Sequence, residues 1–166
     1  KVYLLHGYMT EEDMSAVYSC DKIKAFVSLA HGEGFGLPIF EAAYHGLPVI
    51  APEWSGHVDY MRCPIKDKKG KEKIKSCLSS VEYTMARIPK QIVWDGVLIE
   101  ESSWCVPAQG SYKMKLREMH KDYGRFKKRA GLLQEHLKET YTAENQYKKV
   151  FDSISKVVDF QLDEEV

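Results

Sequence analysis

No apolar run in the 166 residues approaches the ~18 needed to cross a bilayer. The opening Lys1-Val2-Tyr3-Leu4-Leu5 is too short to be the apolar core of a secretory leader. Net charge is also missing: Lys and Arg number 24 and Asp and Glu number 24, so the balance offers nothing toward nucleic acid or a membrane surface. The four cysteines, Cys20, Cys63, Cys77 and Cys105, form no C-x-x-C pair and stand near no histidine. They read as reduced, mostly buried thiols, which fits a cytoplasmic setting and supplies no zinc site. The six histidines have neither nucleophile nor metal spacing, although His31 adjoins the chain's most informative loop. No internal repeat is present. With 44% hydrophobic residues and this length, one domain with its own core is expected.

Val2-Tyr3-Leu4-Leu5 suits a buried strand. Thr10 is a good N-cap with Asp13 three residues on, so a helix is expected from Glu11, apolar at Met14, Val17 and Tyr18. Ala25 to Ala30 is a second strand candidate. A glycine-rich loop, His31 to Leu37, follows it, then a helix opened by Pro38 and stopped near Gly46. Val49-Ile50-Ala51 reads as a third strand. Strands alternating with helices predict a parallel sheet with helices packed on it. Residues 61–110 are less regular, with a solvated lysine loop at Lys66–Lys73 and short strands or a hairpin at Val81 to Ile88, Gln91 to Trp94 and Val97 to Ile99. From Ser111 the pattern is helical: one segment around Met114, Leu116 and Met119, another over Tyr123 to Thr140, and a last over Ala143 to Asp159 with Tyr147, Val150, Phe151, Ile154 and Val158 at helical spacing. An acidic tail, Asp163-Glu164-Glu165, follows.

The chemistry concentrates in His31-Gly32-Glu33-Gly34-Phe35-Gly36-Leu37-Pro38-Ile39-Phe40-Glu41-Ala42. Glycines after a strand let a ligand approach the backbone. The helix start that follows presents free N–H groups and a positive dipole end, which suit phosphate oxygens. Pro38 lacks an N–H, so Gly36 and Leu37 are the better donors. Glu33 and Glu41 would repel a diphosphate but accept well from hydroxyl pairs. Glycines between two glutamates therefore fit a phosphate link between two diols. Two other readings compete. The dinucleotide pattern G-x-G-x-x-G fails because its last glycine position falls on Leu37. A tight strand-to-helix turn with two incidental glutamates stays open on spacing alone.

The segment Glu33-Gly-Phe-Gly-Leu-Pro-Ile-Phe-Glu41 followed by Ala42 resembles the E-x₇-E signature of retaining GT-B glycosyltransferases of the family 4 type. Ala25 to Ala30, Gly46-Leu47-Pro48-Val49-Ile50-Ala51 and His6-Gly7-Tyr8-Met9-Thr10 are similar to that family's flanking segments, so the strong match covers residues 1–60. Tyr141-Thr142-Ala143-Glu144 is similar to its closing pattern. The resemblance implies a Rossmann-like α/β domain with helices on both faces of a parallel sheet, the C-terminal half of a GT-B fold. Residues 1–60 would be its donor core, 61–110 an insertion-like segment and 111–160 the closing helices, all within one domain of 1–166.

It further implies a hexosyltransferase-type enzyme that moves a sugar from a nucleoside-diphosphate sugar to an acceptor hydroxyl with retention. By position, Glu33 would be the catalytic residue, orienting the donor sugar. Glu41 would hold the ribose diol, and Gly34, Phe35, Gly36 and Leu37 would face the phosphate and sugar. Tyr8 and Met9 would border the base. No metal or cofactor is implied, and no D-x-D pair is present. The expected partners are the nucleotide-sugar donor and an N-terminal acceptor-binding domain with a His near the reacting carbon; the family's Arg and Lys for the diphosphate are expected in a segment before Lys1, and without these parts the chain is expected to be inactive. Nucleic acid is not among the expected partners, and any peripheral membrane association would come through the full-length protein. Where the family has Gly-Gly-x-x-Glu, this chain reads Ser55-Gly56-His57-Val58-Asp59. A non-catalytic nucleotide-sugar-binding or interaction module on the same fold is the alternative, and a nucleotide-sugar isomerase a third reading.

Overall fold

The computed structural model describes residues 1–156. The C-terminal end of the last expected helix, with Val158, and the acidic tail lie outside the described residues.

The first helix, α1 (Glu11–Ser19), begins as the sequence predicts. Thr10 accepts from the Asp13 N–H while the Asp13 carboxylate accepts from the Thr10 N–H, a complete capping box. Tyr18 is its buried residue. The strand β1 (Phe26–Val27) is shorter than the expected Ala25–Ala30. Next comes α2 (Leu37–Tyr44), entered through Gly36 at φ 80°. It closes on Gly46 at φ 72°, whose N–H bonds to Ala43 O while Leu47 N–H bonds to Ala42 O. The strand β2 (Val49–Pro52) is buried throughout.

Residues 61–110 are more ordered than the sequence suggests. Strands β3 (Arg62–Lys66) and β4 (Glu72–Ser76) form an antiparallel hairpin whose turn is the lysine-rich loop. Asp67 holds that turn by accepting from the Lys69 and Lys71 N–H groups. Then come β5 (Ser79–Val81) and a second antiparallel hairpin, β6 (Tyr83–Arg87) with β7 (Ser103–Pro107). Gln91 to Trp94 is not a strand: a 3₁₀ turn covers Lys90–Ile92, and a lone bridge joins Trp94 to Leu98. The helices α3 (Gln109–Lys121), α4 (Tyr123–Thr140) and α5 (Ala143–Ser155) complete the described chain.

The central sheet is parallel in the order β1-β2-β5, with Ile50 opposite both Val27 and Ser79. Its third member corrects the sequence reading. Val2-Tyr3-Leu4-Leu5 joins no strand and lies open to solvent, with Val2 99% exposed. The buried Val81 brings β5 into the sheet instead. A short apolar run does not specify its partner, and β5 has helix packing to complete its burial.

Alternation along β2 sorts the layers. Val49 and Ala51 pack with Ile39, Ala42, Ala43, Leu133 and Leu137, the face of α2 and α4. Ile50 points the other way, with Val81 and Met119 of α3. Helices therefore cover both faces, a Rossmann-like α/β arrangement. At the C-terminus of α2 the side chains of α4 reach its last carbonyls: Lys127 Nζ donates to Gly46 O and Gln134 Nε2 to Tyr44 O. Cys63, Cys77 and Cys105 are buried and all four cysteines are free thiols, with Cys63 Sγ 3.2 Å from Cys77 Sγ. Burial pushes the Cys77 thiol up to about 12.

Candidate functional site

Two glycines shape the loop between β1 and α2. Gly36 takes the left-handed conformation, and a Cβ there would sit 3.2 Å from Tyr60 Oη and 3.4 Å from Glu33 Cβ. Gly56 lies so close beneath the loop that a Cβ would fall 1.7 Å from Gly34 O. The Gly56 N–H also donates to Glu33 O at 3.1 Å. Beside it Ser55, one of the two departures from the family pattern, holds φ 74° and ψ −168°. A glycine takes this backbone without strain. Its Oγ accepts from the Glu33 N–H at 2.8 Å, so the side chain ties down the backbone of Glu33.

The carbonyl and amide groups of the loop are used unequally. Gly36 O accepts from the N–H groups of Ile39 and Phe40 and from the Tyr60 hydroxyl. Tyr60 is buried, and burial together with the nearby Glu33 charge raises its phenol well above the ordinary value, so it stays a donor. By contrast, the N–H groups of Gly34, Phe35, Gly36 and Leu37 have no acceptor among the described residues. Four successive donors at the start of a helix are suited to receive an anion. The Phe35 ring lies 4.9 Å from Tyr60 and 5.4 Å from Phe40, which anchors the loop; Tyr141, at the end of α4, packs against Phe40 at 5.4 Å. Tyr60 and Tyr141 carry no signal in the sequence that marks them as supports of this loop.

Glu33 and Glu41 are both half-buried. Glu41 lines a cavity of about 440 Å³ between α1 and α2, together with Met9, Thr10, Met14, Ser15, Tyr18 and His45. Burial pushes the Tyr18 phenol up to about 12, with the Glu41 charge and a hydrogen bond to Glu41 adding to the shift. His45 forms the far wall. Its Nδ1–H donates to Glu41 O at 2.8 Å, which leaves Nε2 to accept from the Ser15 hydroxyl at 2.9 Å. The structure thus brings Met9 and Glu41 together, while Tyr8 is 93% exposed and lies outside that cavity. Tyr18, Ser15 and His45 were not singled out by sequence reasoning; the spacing of Tyr18 marked it only as core.

Three of the six histidines make specific hydrogen bonds to the backbone. Beyond His45, His57 Nε2–H donates to Pro52 O at 2.8 Å, since a carbonyl only accepts. His31 Nδ1–H donates to Cys105 O at 2.6 Å by the same logic. Among the described residues no group of three His, Cys, Asp or Glu side chains is placed to hold a metal ion. No described helix is long and apolar enough to cross a membrane.

Against known proteins, a family model described as family 4 glycosyltransferase in conflict systems matches residues 10–150. No curated protein and no solved structure matches the chain.

Proposed function

The chain belongs to the family 4 glycosyltransferases of conflict systems, and on that premise we propose that it holds a nucleoside-diphosphate sugar while the sugar passes, with retention, to an acceptor hydroxyl. The observation that supports this most is the run of four unpaired N–H groups from Gly34 to Leu37, set between two half-buried carboxylates. An anion on those amides has its negative charge met by the helix dipole and by donors already in place. Glu33, held by Ser55, orients hydroxyls of the transferred sugar. Glu41 accepts from the ribose diol at the mouth of the α1–α2 cavity, and Met9 lines the side on which the base would rest.

The hard step is cleavage of the bond between the anomeric carbon and the diphosphate, as a new bond forms from that carbon to the acceptor oxygen and the acceptor's proton passes to an oxygen of the departing diphosphate. Charge builds on the departing diphosphate, which is where the amides point their protons. Neither glutamate acts as a general base in this reading; each positions a diol, and positioning lowers the barrier by holding the reacting carbon in place. The reading calls on no resident metal or cofactor, because amide protons and the helix end supply the positive charge. Further cations for the diphosphate, and the remainder of the acceptor site, would come from elsewhere in the full protein.

Substitutions in the intact protein test it. Glu33→Ala and Glu41→Ala should each weaken binding of nucleoside-diphosphate sugars, followed by calorimetry, by about tenfold or more, the loss expected for a hydrogen bond to a charged group. Undiminished binding in both variants would reject the site.

A further inference from the structure

The β6–β7 hairpin is fastened to the start of the donor loop. His31 donates from Nδ1 to Cys105 O and accepts at its own carbonyl from the Cys105 N–H at 3.1 Å. Its ring stacks on Trp104 with centroids 4.0 Å apart and planes 11° from parallel. Between this stack, Trp54 and the segment around Leu98 lies a second cavity of about 440 Å³, separate from the one that Glu41 lines. Its floor is Gly32, the neighbour of Glu33; a Cβ at Gly32 would lie 3.8 Å from Trp54 Nε1.

The lining has a definite chemistry. No Lys, Arg, Asp or Glu contributes to it, which argues against a phosphate or any charged ligand. Most of the wall is aromatic or aliphatic. Its lining residues carry polar groups with no partner among the described residues: the Trp54 indole N–H, the hydroxyls of Ser102 and Ser103, and the Nε2 of His31, left as an acceptor because Nδ1 carries the proton. An apolar cavity of this size with a few unpaired donors and acceptors suits a small neutral ligand. Flat indole faces match the C–H face of a pyranose ring, and the scattered polar groups match its hydroxyls.

We propose that this cavity binds a neutral hexopyranoside ring of the acceptor, stacked against Trp54 or Trp104 beside the sugar being transferred. The acceptor role rests on the donor reading above, whereas binding of a saccharide by the cavity does not. The β6–β7 hairpin then has a task. It builds an acceptor wall on the donor domain itself, sharing Gly32 with the donor loop.

The test uses the intact protein and two sets of probes. Methyl glycosides of glucose, galactose, mannose and N-acetylglucosamine are titrated while the indole N–H signals of Trp54, Trp94 and Trp104 are followed by NMR. Uridine, guanosine and adenosine diphosphates and their sugars are titrated separately. At least one methyl glycoside should shift the Trp54 and Trp104 signals and leave the signal of Trp94, which lies outside the cavity, in place. Trp104→Ala and the cavity-filling Leu98→Trp should each weaken that glycoside by about tenfold or more, and both should leave nucleoside-diphosphate binding unchanged. Two variants are used because Trp104→Ala alone could loosen the hairpin. No response to any glycoside, or full glycoside affinity in Leu98→Trp, would overturn the site. Displacement of the glycoside by a nucleotide sugar but not by the matching diphosphate would place the donor sugar in this cavity and overturn the acceptor role. If no diphosphate binds in any variant, the donor reading fails, and the acceptor role with it.

Discussion

Ser55 stands at φ 74°, where an L side chain is strained by ~1–3 kcal/mol. Its hydroxyl returns part of that through the bond from the Glu33 N–H, worth about 1 kcal/mol. The two variants at this position therefore separate the effects. Ser55→Gly removes both the strain and the bond and adds chain entropy to the unfolded state, so its urea midpoint should move little. Ser55→Ala keeps the strain and loses the bond, and should be less stable than wild type by about 1 kcal/mol. Equal midpoints for the two would contradict the strained geometry. Next door, Gly56→Ala has no such compromise. With the Gly34 carbonyl oxygen 1.7 Å from the new methyl carbon, the loop from Glu33 to Gly36 has to move. We expect a loss of ~1–3 kcal/mol in denaturant unfolding, together with loss of nucleotide-sugar binding.

At the scale of elements, α1 is a short helix that depends on its cap. Both halves of the box, Thr10 and Asp13, are on the surface and act only on the helix start. Thr10→Ala should cost about 1 kcal/mol by thermal or denaturant unfolding. A loss well below that would mean that packing of Tyr18, Phe26 and His45, whose rings lie 5.6–6.2 Å from one another's centroid at Tyr18, holds α1 without its cap. The same element walls the Glu41 cavity through Met9, Met14 and Ser15, so its stability bears on that cavity's shape. α5 is the opposite case. Its Thr142 cap forms, yet Tyr147, Val150, Phe151 and Ile154 face solvent. The apolar stripe is legible in the sequence, which gives the helix but not its exposure.

At the scale of the whole molecule, three buried groups link stability to alkaline pH. The Tyr18 phenol and the Cys77 thiol are pushed up to about 12 from ordinary values of 10 and 9, and Tyr60 is raised further in the same direction. Burial is the first cause in each. The unfolded chain loses these protons earlier than the folded one, so the folded state holds more protons through that window. Stability is then complete below pH 9 and falls as pH climbs past the unfolded values toward 12. Urea midpoints measured from about pH 8 to pH 11 should decline, and Tyr18→Phe should flatten the decline. A level profile for the wild type would refute the burial of these groups.

What the residues alone determined is local. The capping box of α1, the glycine loop with its two glutamates, the stop at Gly46 and the bounds of α4 depend on groups within a few positions of one another, and spacing records such relations. The E-x₇-E segment is a contiguous stretch of this kind, which is why the family could be read from it. Tertiary structure alone decided which distant groups meet. It placed Ser55 and Gly56 under Glu33, Tyr60 on the Gly36 carbonyl, Tyr141 behind Phe40, and Trp104 on His31. It also gave the sheet's third place to β5 instead of Val2–Leu5. Each of these pairings joins residues far apart in the chain, and the choice among candidate partners is made by burial on a shared face, a quantity that a linear pattern does not contain.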